Sequence, residues 1–208
     1  MTDFFNAVFD IMMKITLFVI KFTPIGVFGI VAGVVAEQAG DTNALLNIVG
    51  RLGLYMLCVI LALAIHAAIT LPMIVKFIAK SNPLLHFKAM TTPLLTAFST
   101  SSSSATLPLT MEAVENNSGV SNKITSFTLP LGATVNMDGT ALYECIAAMF
   151  IAQAYGVELG MLDQVIVVIT ALLASIGAAG IPMAVLVMIT IVLSAVGLPL
   201  EGVGLILA

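Results

Sequence analysis

Asp138 lies within an apolar, helix-grade run, FTLPLGATVNMDGTALYE at residues 127–144, together with Gly132, Asn136, Gly139 and Thr140, and Glu144 closes the run. An acid at membrane depth is costly, and such acids face a cavity, an ion path or a charged partner. The chemistry open to this cluster is therefore binding in a polar cavity or along an ion path. A kinked span with one capped end would account for a lone aspartate. It does not account for an acid, an amide, a hydroxyl and two glycines within nine residues. Asp138 and Glu144 are the first site candidates.

The composition says what surrounds them. The chain has 208 residues, 60% hydrophobic and 9% charged, with a mean hydropathy of +1.16; a soluble domain carries about a quarter charged residues. This is the composition of an integral membrane protein, all α. The net charge of −4 comes from seven bases and eleven acids and argues against nucleic-acid binding. Cys58 and Cys145 lie in apolar segments without CxxC or Cys/His spacing, so neither a disulfide framework nor a cysteine metal site is indicated. The start, MTDFFNAVFDIMMK, places Asp3 and Asp10 ahead of the first lysine and lacks a small-residue cleavage site. It does not read as a signal peptide, so insertion uses the mature spans.

In chain order, residues 4–37 read as one spanning helix kinked at Pro24-Ile-Gly26. Residues 44–75 number 32, longer than a ~30 Å hydrocarbon core requires at ~1.5 Å per residue, so this span is tilted or broken, with Pro72 the place for a break. His66 within it is read as hydrogen-bonded between packed helices in preference to a proton relay. The link at residues 37–43 holds two acids and no base, whereas Lys76, Lys80 and Lys88 crowd the next link. Positive loops stay inside, which puts the second link in the cytoplasm and the first outside.

Residues 89–114 are two short apolar pieces around Ser99-Thr-Ser-Ser-Ser-Ser104, each too short to cross. A hairpin that enters and returns on the cytoplasmic side fits better than a serine-rich linker, because LLTAF and ATLPL bracket the serines. Residues 141–154 complete a crossing, and the link at 153–164, with Glu158 and Asp163 but no base, belongs outside. Residues 165–174 and 183–196 then flank Ser175-Ile-Gly-Ala-Ala-Gly-Ile-Pro182. This is read as a second re-entrant hairpin entering from outside, with a single long kinked helix as the alternative. An offset of 74 residues aligns Thr96-Ala97 with Thr170-Ala171, Ser101 with Ser175, and Leu107-Pro108 with Ile181-Pro182. Two matching interrupted segments are the mark of an inverted-repeat transporter with its site between the broken tips. The small residues Gly177, Ala178, Ala179 and Gly180 suit a tip that opens and closes as a gate.

SSSSATLP at 101–108, LPLGATVNMDGTALYE at 129–144 and ASIGAAGIP at 174–182, in this order and spacing, resemble the glutamate transporter family, the dicarboxylate/amino acid:cation symporters. The likeness covers nearly the whole chain. It implies two spanning helices over 1–80, the family's fifth and sixth, and a transport-domain core over 81–208. That core comprises a first hairpin at 84–118, a broken spanning helix at 123–155 and a second hairpin at 162–200. It also implies sodium-coupled symport of an acidic or small neutral amino acid or a dicarboxylate, in a plasma-membrane homotrimer with an elevator motion. No cofactor is implied beyond sodium as coupling ion, with protons or potassium as further ions.

Carried over by residue, the resemblance assigns Ser101, Ser103, Thr140 and the backbone at Ile181 to substrate. It assigns one sodium to backbone oxygens of Gly132 and Asn136, and a second to those of Thr134 and Met137 with Ser175, Ile176 and Ala178. A third goes to the side chains of Asn136 and Asp138, and Glu144 takes the proton-coupling position. Two departures stand out. Val185 occupies a place that usually carries glycine beside the substrate. The family's first four helices and its eighth helix, which supplies the acid that meets the amino group, have no counterpart here, so the chain is expected to be a segment that does not transport by itself. A non-transporting membrane scaffold is the alternative. An intramembrane protease is disfavoured by the absence of GxGD and GxSG.

Overall fold

The computed structural model describes residues 4, 7–8, 11–12, 14–15, 18–19, 21–37, 42–178 and 184–207. Every regular element among them is helical. The chain divides into two compact units, one formed by Met1–Leu52 with Gly204–Ala208 and the other by Gly53–Val203.

In the first unit the described residues from Phe4 to Val19 are helical, a turn follows at Lys21 and Phe22, and α1 runs over Thr23–Glu37. The break therefore precedes the expected Pro24-Ile-Gly26 kink. Pro24 is the second residue of α1, where its missing N–H has no intrahelical acceptor to lose. The Phe18 and Phe22 rings meet edge to face across the turn, 5.2 Å between centroids.

α2 (Thr42–Ile65) continues through a π-helical turn at His66–Thr70 into α3 (Leu71–Phe77). Among the described residues, Val49–Phe77 is the one helix long and apolar enough to cross a membrane. The irregularity expected at Pro72 falls one turn earlier. A proline cannot donate to the carbonyl four residues back and collides with it, and the wider turn, closed by the Leu71 N–H on the His66 carbonyl, absorbs the conflict without breaking the span.

α4 (Pro83–Ala89) starts on Asn82, whose Oδ1 accepts from the Leu84 N–H at 3.0 Å and the Leu85 N–H at 3.5 Å. α5 (Thr91–Thr100) and α6 (Ser103–Asn116) pack against each other around a reversal at Ser101–Ser102. Asn117 Nδ2 donates to the Ala89 carbonyl at 3.0 Å and ties the two open ends of this hairpin together. α6 then packs on α7 (Asn122–Val135), where Asn122 Nδ2 donates to Glu115 Oε1 at 2.7 Å and the buried Thr125 hydroxyl donates to the same oxygen.

The densest core lies in α8 (Asp138–Ala154), α9 (Met161–Gly177) and α10 (Ala184–Ala195), which pack on one another. Ala141, Glu144, Ala147, Ala148, Ile151 and Ala152 mark one face of α8 at three- and four-residue spacing. Val167, Ala171 and Ala174 do so on α9, and Ile189, Val192 and Leu193 on α10. Alanines on two facing helices let the backbones approach closely, as in membrane helix packing. α9 and α10 lie side by side, so the alternative of a single long kinked helix over 165–196 does not hold. α8 ends on Gly156 at φ 68°, with the Val157 N–H on the Ala152 carbonyl at 2.8 Å, a left-handed cap that suits glycine.

A 3₁₀ turn at Leu200–Gly202 returns to this core. A Cβ on Gly202 would stand 2.5 Å from Ile151 Cγ2 and 3.3 Å from Tyr155 Cε2. Ile151 is fully buried and has nowhere to retreat. Gly202→Ala is therefore expected to destabilise the core by about 1–3 kcal/mol, read as a lower melting temperature of the detergent-solubilised protein. An unchanged melting temperature would mean that the turn is not packed in this way.

Candidate functional site

The organising break is two residues long. Asn136 (φ −105°, ψ 75°) and Met137 (φ −115°, ψ 51°) leave the helical region between the end of α7 and the start of α8. The interruption is narrower than the cluster suggested: Gly132 and Thr134 belong to the last turn of α7, and Gly139 and Thr140 to the first turn of α8. A break exposes the ends of two half-helices. The C-terminal end of α7 presents carbonyls and the negative end of its dipole, which suits a cation, while the first turn of α8 presents N–H groups.

The carbonyls differ in what they accept. Gly132 O accepts the Asn136 N–H at 3.0 Å, and Met137 O accepts the N–H groups of Thr140 and Ala141, each at 3.1 Å. Met137 O thus has both lone pairs engaged. Thr134 Oγ1 donates back to Leu131 O at 3.0 Å, so its hydroxyl serves its own helix. As the first residue of α8, Asp138 places its carboxylate at the positive end of that helix.

One carboxylate oxygen of Asp138, Oδ2, is held by Nε2 of His66. Oδ1 has no hydrogen bond to a described residue. The contact ends a row of contacts between α2 and α8. Tyr55 stacks on Phe150 at 4.7 Å between centroids and meets Tyr143 edge-on at 6.4 Å, a Cβ on Gly139 would lie 3.8 Å from Leu63 Cδ2, and His66 reaches Asp138. Numbers rise along α2 as they fall along α8, so the two helices run antiparallel. His66 bonds from one helix to another, as expected, with a partner 72 residues away. Tyr55, buried between Tyr143 and Phe150, was not singled out from sequence; a tyrosine within an apolar span is the signal it offered.

Glu144 is fully buried on α8, and neither of its carboxyl oxygens has a hydrogen-bond partner among the described residues. α10 has no charged residue, and Asp163 is the one charge on α9. No base on the helices of this core can pair with Glu144.

The tips stand as follows. Ser101 adopts a left-handed conformation at φ 49°, uncommon for a residue with a Cβ, and Ser102 caps α6 by accepting the Ala105 N–H at 3.3 Å. Ser103 is the first residue of α6, with its side chain exposed. No hydrogen bond joins Ser101 or Ser103 to Thr140 among the described residues. At the second tip, α9 runs through Ser175 and Ile176 to Gly177, so these two lie in a helical last turn instead of in the break. Ser175 donates its hydroxyl to Leu172 O at 2.9 Å, and Ala178 leaves the helix. Their carbonyls still lie at a helix C-terminal end, the polarity a cation needs. Ala179, Gly180, Ile181 and Pro182, and with them the Ile181 substrate contact, lie outside the described residues.

The sequence pattern of the sodium:dicarboxylate symporter family matches residues 1–208. The chain belongs to this family. It is 48% identical over 208 residues to excitatory amino acid transporter 3 of Homo sapiens, covering all of this chain and 39% of that protein. It is 44% identical over 206 residues to excitatory amino acid transporter 1 of Homo sapiens, covering 99% of this chain and 37% of that protein. A third relative, excitatory amino acid transporter 4 of Mus musculus, is 46% identical over 206 residues, 99% of this chain and 36% of that protein. The chain thus spans about two fifths of the length of the curated relatives it matches. Membership makes this a membrane protein of a transporter family, and the protease alternative drops out.

Proposed function

We propose that the protein carrying this chain is a sodium-coupled symporter of an acidic amino acid or related dicarboxylate. The carrying observation is the two-residue break at Asn136–Met137 with Asp138 at the head of α8, inside a chain of membrane-grade composition. Unwound backbone at membrane depth is tolerated where it lines a cavity. Opposed half-helix ends bind ions of both signs there, carbonyl ends for sodium and N–H ends for a substrate carboxylate.

In this reading Asp138 and Asn136 hold one sodium through side chains, and the carbonyls of Gly132 and Asn136 hold another. The carbonyls of Thr134, Met137, Ser175, Ile176 and Ala178 form a third site, and there the doubly engaged Met137 oxygen must release an N–H to ligate. Ser101, Ser103, Thr140 and Ile181 contact substrate. The two helix pairs, 84–118 and 162–200, are re-entrant hairpins of an inverted repeat, entering from opposite faces of the plasma membrane. The core over 81–208 moves like an elevator against a trimeric scaffold, and Glu144 couples protons, with potassium as a further counter-ion in some family members.

The test is uptake of radiolabelled L-glutamate or L-aspartate into liposomes containing a full-length carrier that includes this segment. An inward sodium gradient is expected to raise uptake at least about tenfold over choline. Equal uptake with and without the gradient would refute sodium coupling.

A further inference from the structure

We propose that His66 is a positioning residue of the cation site, holding Oδ2 of Asp138 so that Oδ1 is the oxygen turned over to sodium. The inference rests on the reading of Asp138 as a sodium ligand and adds to it a residue from a different helix. The geometry at the Asp138 carboxylate carries it. Nε2 of His66 lies on Oδ2 of Asp138 while Oδ1 takes no hydrogen bond from a described residue, so the two oxygens are already distinguished before any ion arrives. His66 opens the π-helical turn ahead of Pro72, so it reaches Asp138 from a different helical element.

The chemistry favours positioning over direct ligation. Sodium is a hard cation suited by carboxylate, carbonyl and hydroxyl oxygen, so the Asp138 oxygen ranks ahead of an imidazole nitrogen as its ligand. With its proton on Nε2 the ring donates to Oδ2, fixes the Asp138 rotamer and leaves the carboxylate its charge. An aspartate free to swing would have to be ordered by each arriving ion, and that ordering would be subtracted from the affinity. Leu63 on α2 borders Gly139, and Tyr55 stacks on Phe150, so α2 touches α8 at these points as well as at His66. Among the described residues no other ion pair involves Asp138.

The experiment is equilibrium binding of radiolabelled L-glutamate to a purified full-length carrier containing this segment, titrated with sodium chloride against choline chloride. His66→Leu removes the donor and is expected to raise the half-saturating sodium concentration about tenfold, with the number of sites at saturating sodium unchanged. His66→Gln, whose amide can reach Oδ2, is expected to stay within about threefold of wild type. A merely structural histidine would not be rescued by an amide. If the leucine variant does not assemble, His66→Asn replaces it, keeping a polar side chain but drawing the donor back from Oδ2.

A sodium requirement unchanged in His66→Leu, or raised equally in His66→Gln, overturns the inference. Asp138→Asn, measured alongside, separates the two levels of the claim. If it weakens sodium-dependent binding while His66→Leu does not, only the positioning role fails. If it leaves sodium dependence intact, the Asp138 reading fails and His66 has nothing to position.

Discussion

Asp138→Asn in the full-length carrier is expected to raise the sodium concentration for half-maximal substrate binding at least about a hundredfold, the scale of removing one charge from a close ionic contact. The substitution keeps size and shape. Its amide oxygen still accepts from His66, so the contact between α2 and α8 survives and the fold is disturbed by less than about 1 kcal/mol. What disappears is the negative charge at the head of α8, where the helix dipole had made it inexpensive to hold. A cation at the break would then be met only by neutral oxygens. The measurement is sodium-titrated binding of radiolabelled L-glutamate, with melting temperature as the folding control. Wild-type sodium dependence in a folded Asp138→Asn carrier would remove Asp138 from the cation site.

The break itself was legible because it needs no tertiary information. An apolar run that carries Asn136, Asp138 and Thr140 must either end or open a polar cavity, and the chain opens at Asn136–Met137. The pairing of two short helices around the serines was legible for a similar reason. At ~1.5 Å per residue neither α5 nor α6 reaches across a ~30 Å core, and the serines between them supply the left-handed Ser101 and the cap Ser102.

The prolines misled in a consistent way. Pro24 and Pro72 look like breakpoints in the sequence, but a proline near the start of a helix loses no hydrogen bond, and one inside a span is accommodated by widening the turn ahead of it. At the second tip the glycines suggested a break beginning at Ser175. Helix α9 instead carries through to Gly177, with Ser175 buried and its hydroxyl on the Leu172 carbonyl one turn back.

Contacts between distant residues were out of reach. The sequence said that His66 needs a polar neighbour; it could not say that the neighbour is the carboxylate 72 residues on, because that depends on the pairing of α2 with α8. The Glu115 carboxylate, which gathers Asn122 and Thr125 where α6 meets α7, was missed for the same reason.

Glu144 is where the sequence reading and the core packing meet most sharply. An ionised carboxylate sealed in a protein interior requires a cation or several donors beside it, whereas a protonated one requires far less. Glu144 is fully buried, both oxygens are unpartnered among the described residues, and the helices α9 and α10 packed on α8 offer no base. Such a group can serve as a carrier of protons, ionised when a cation or water stands beside it in one stage of transport and protonated in another. The alternative is a fixed ion pair with a base from outside these residues. Glu144→Gln distinguishes the two. In the full-length carrier a glutamine imitates the protonated state permanently, so sodium-dependent exchange of labelled for unlabelled substrate should persist while net uptake varies less than about twofold between about pH 6 and pH 8. A broken ion pair would instead abolish binding by leaving an unmatched base. Retention of the wild-type pH profile, or loss of exchange together with net uptake, would dismiss the proton-carrier role of Glu144.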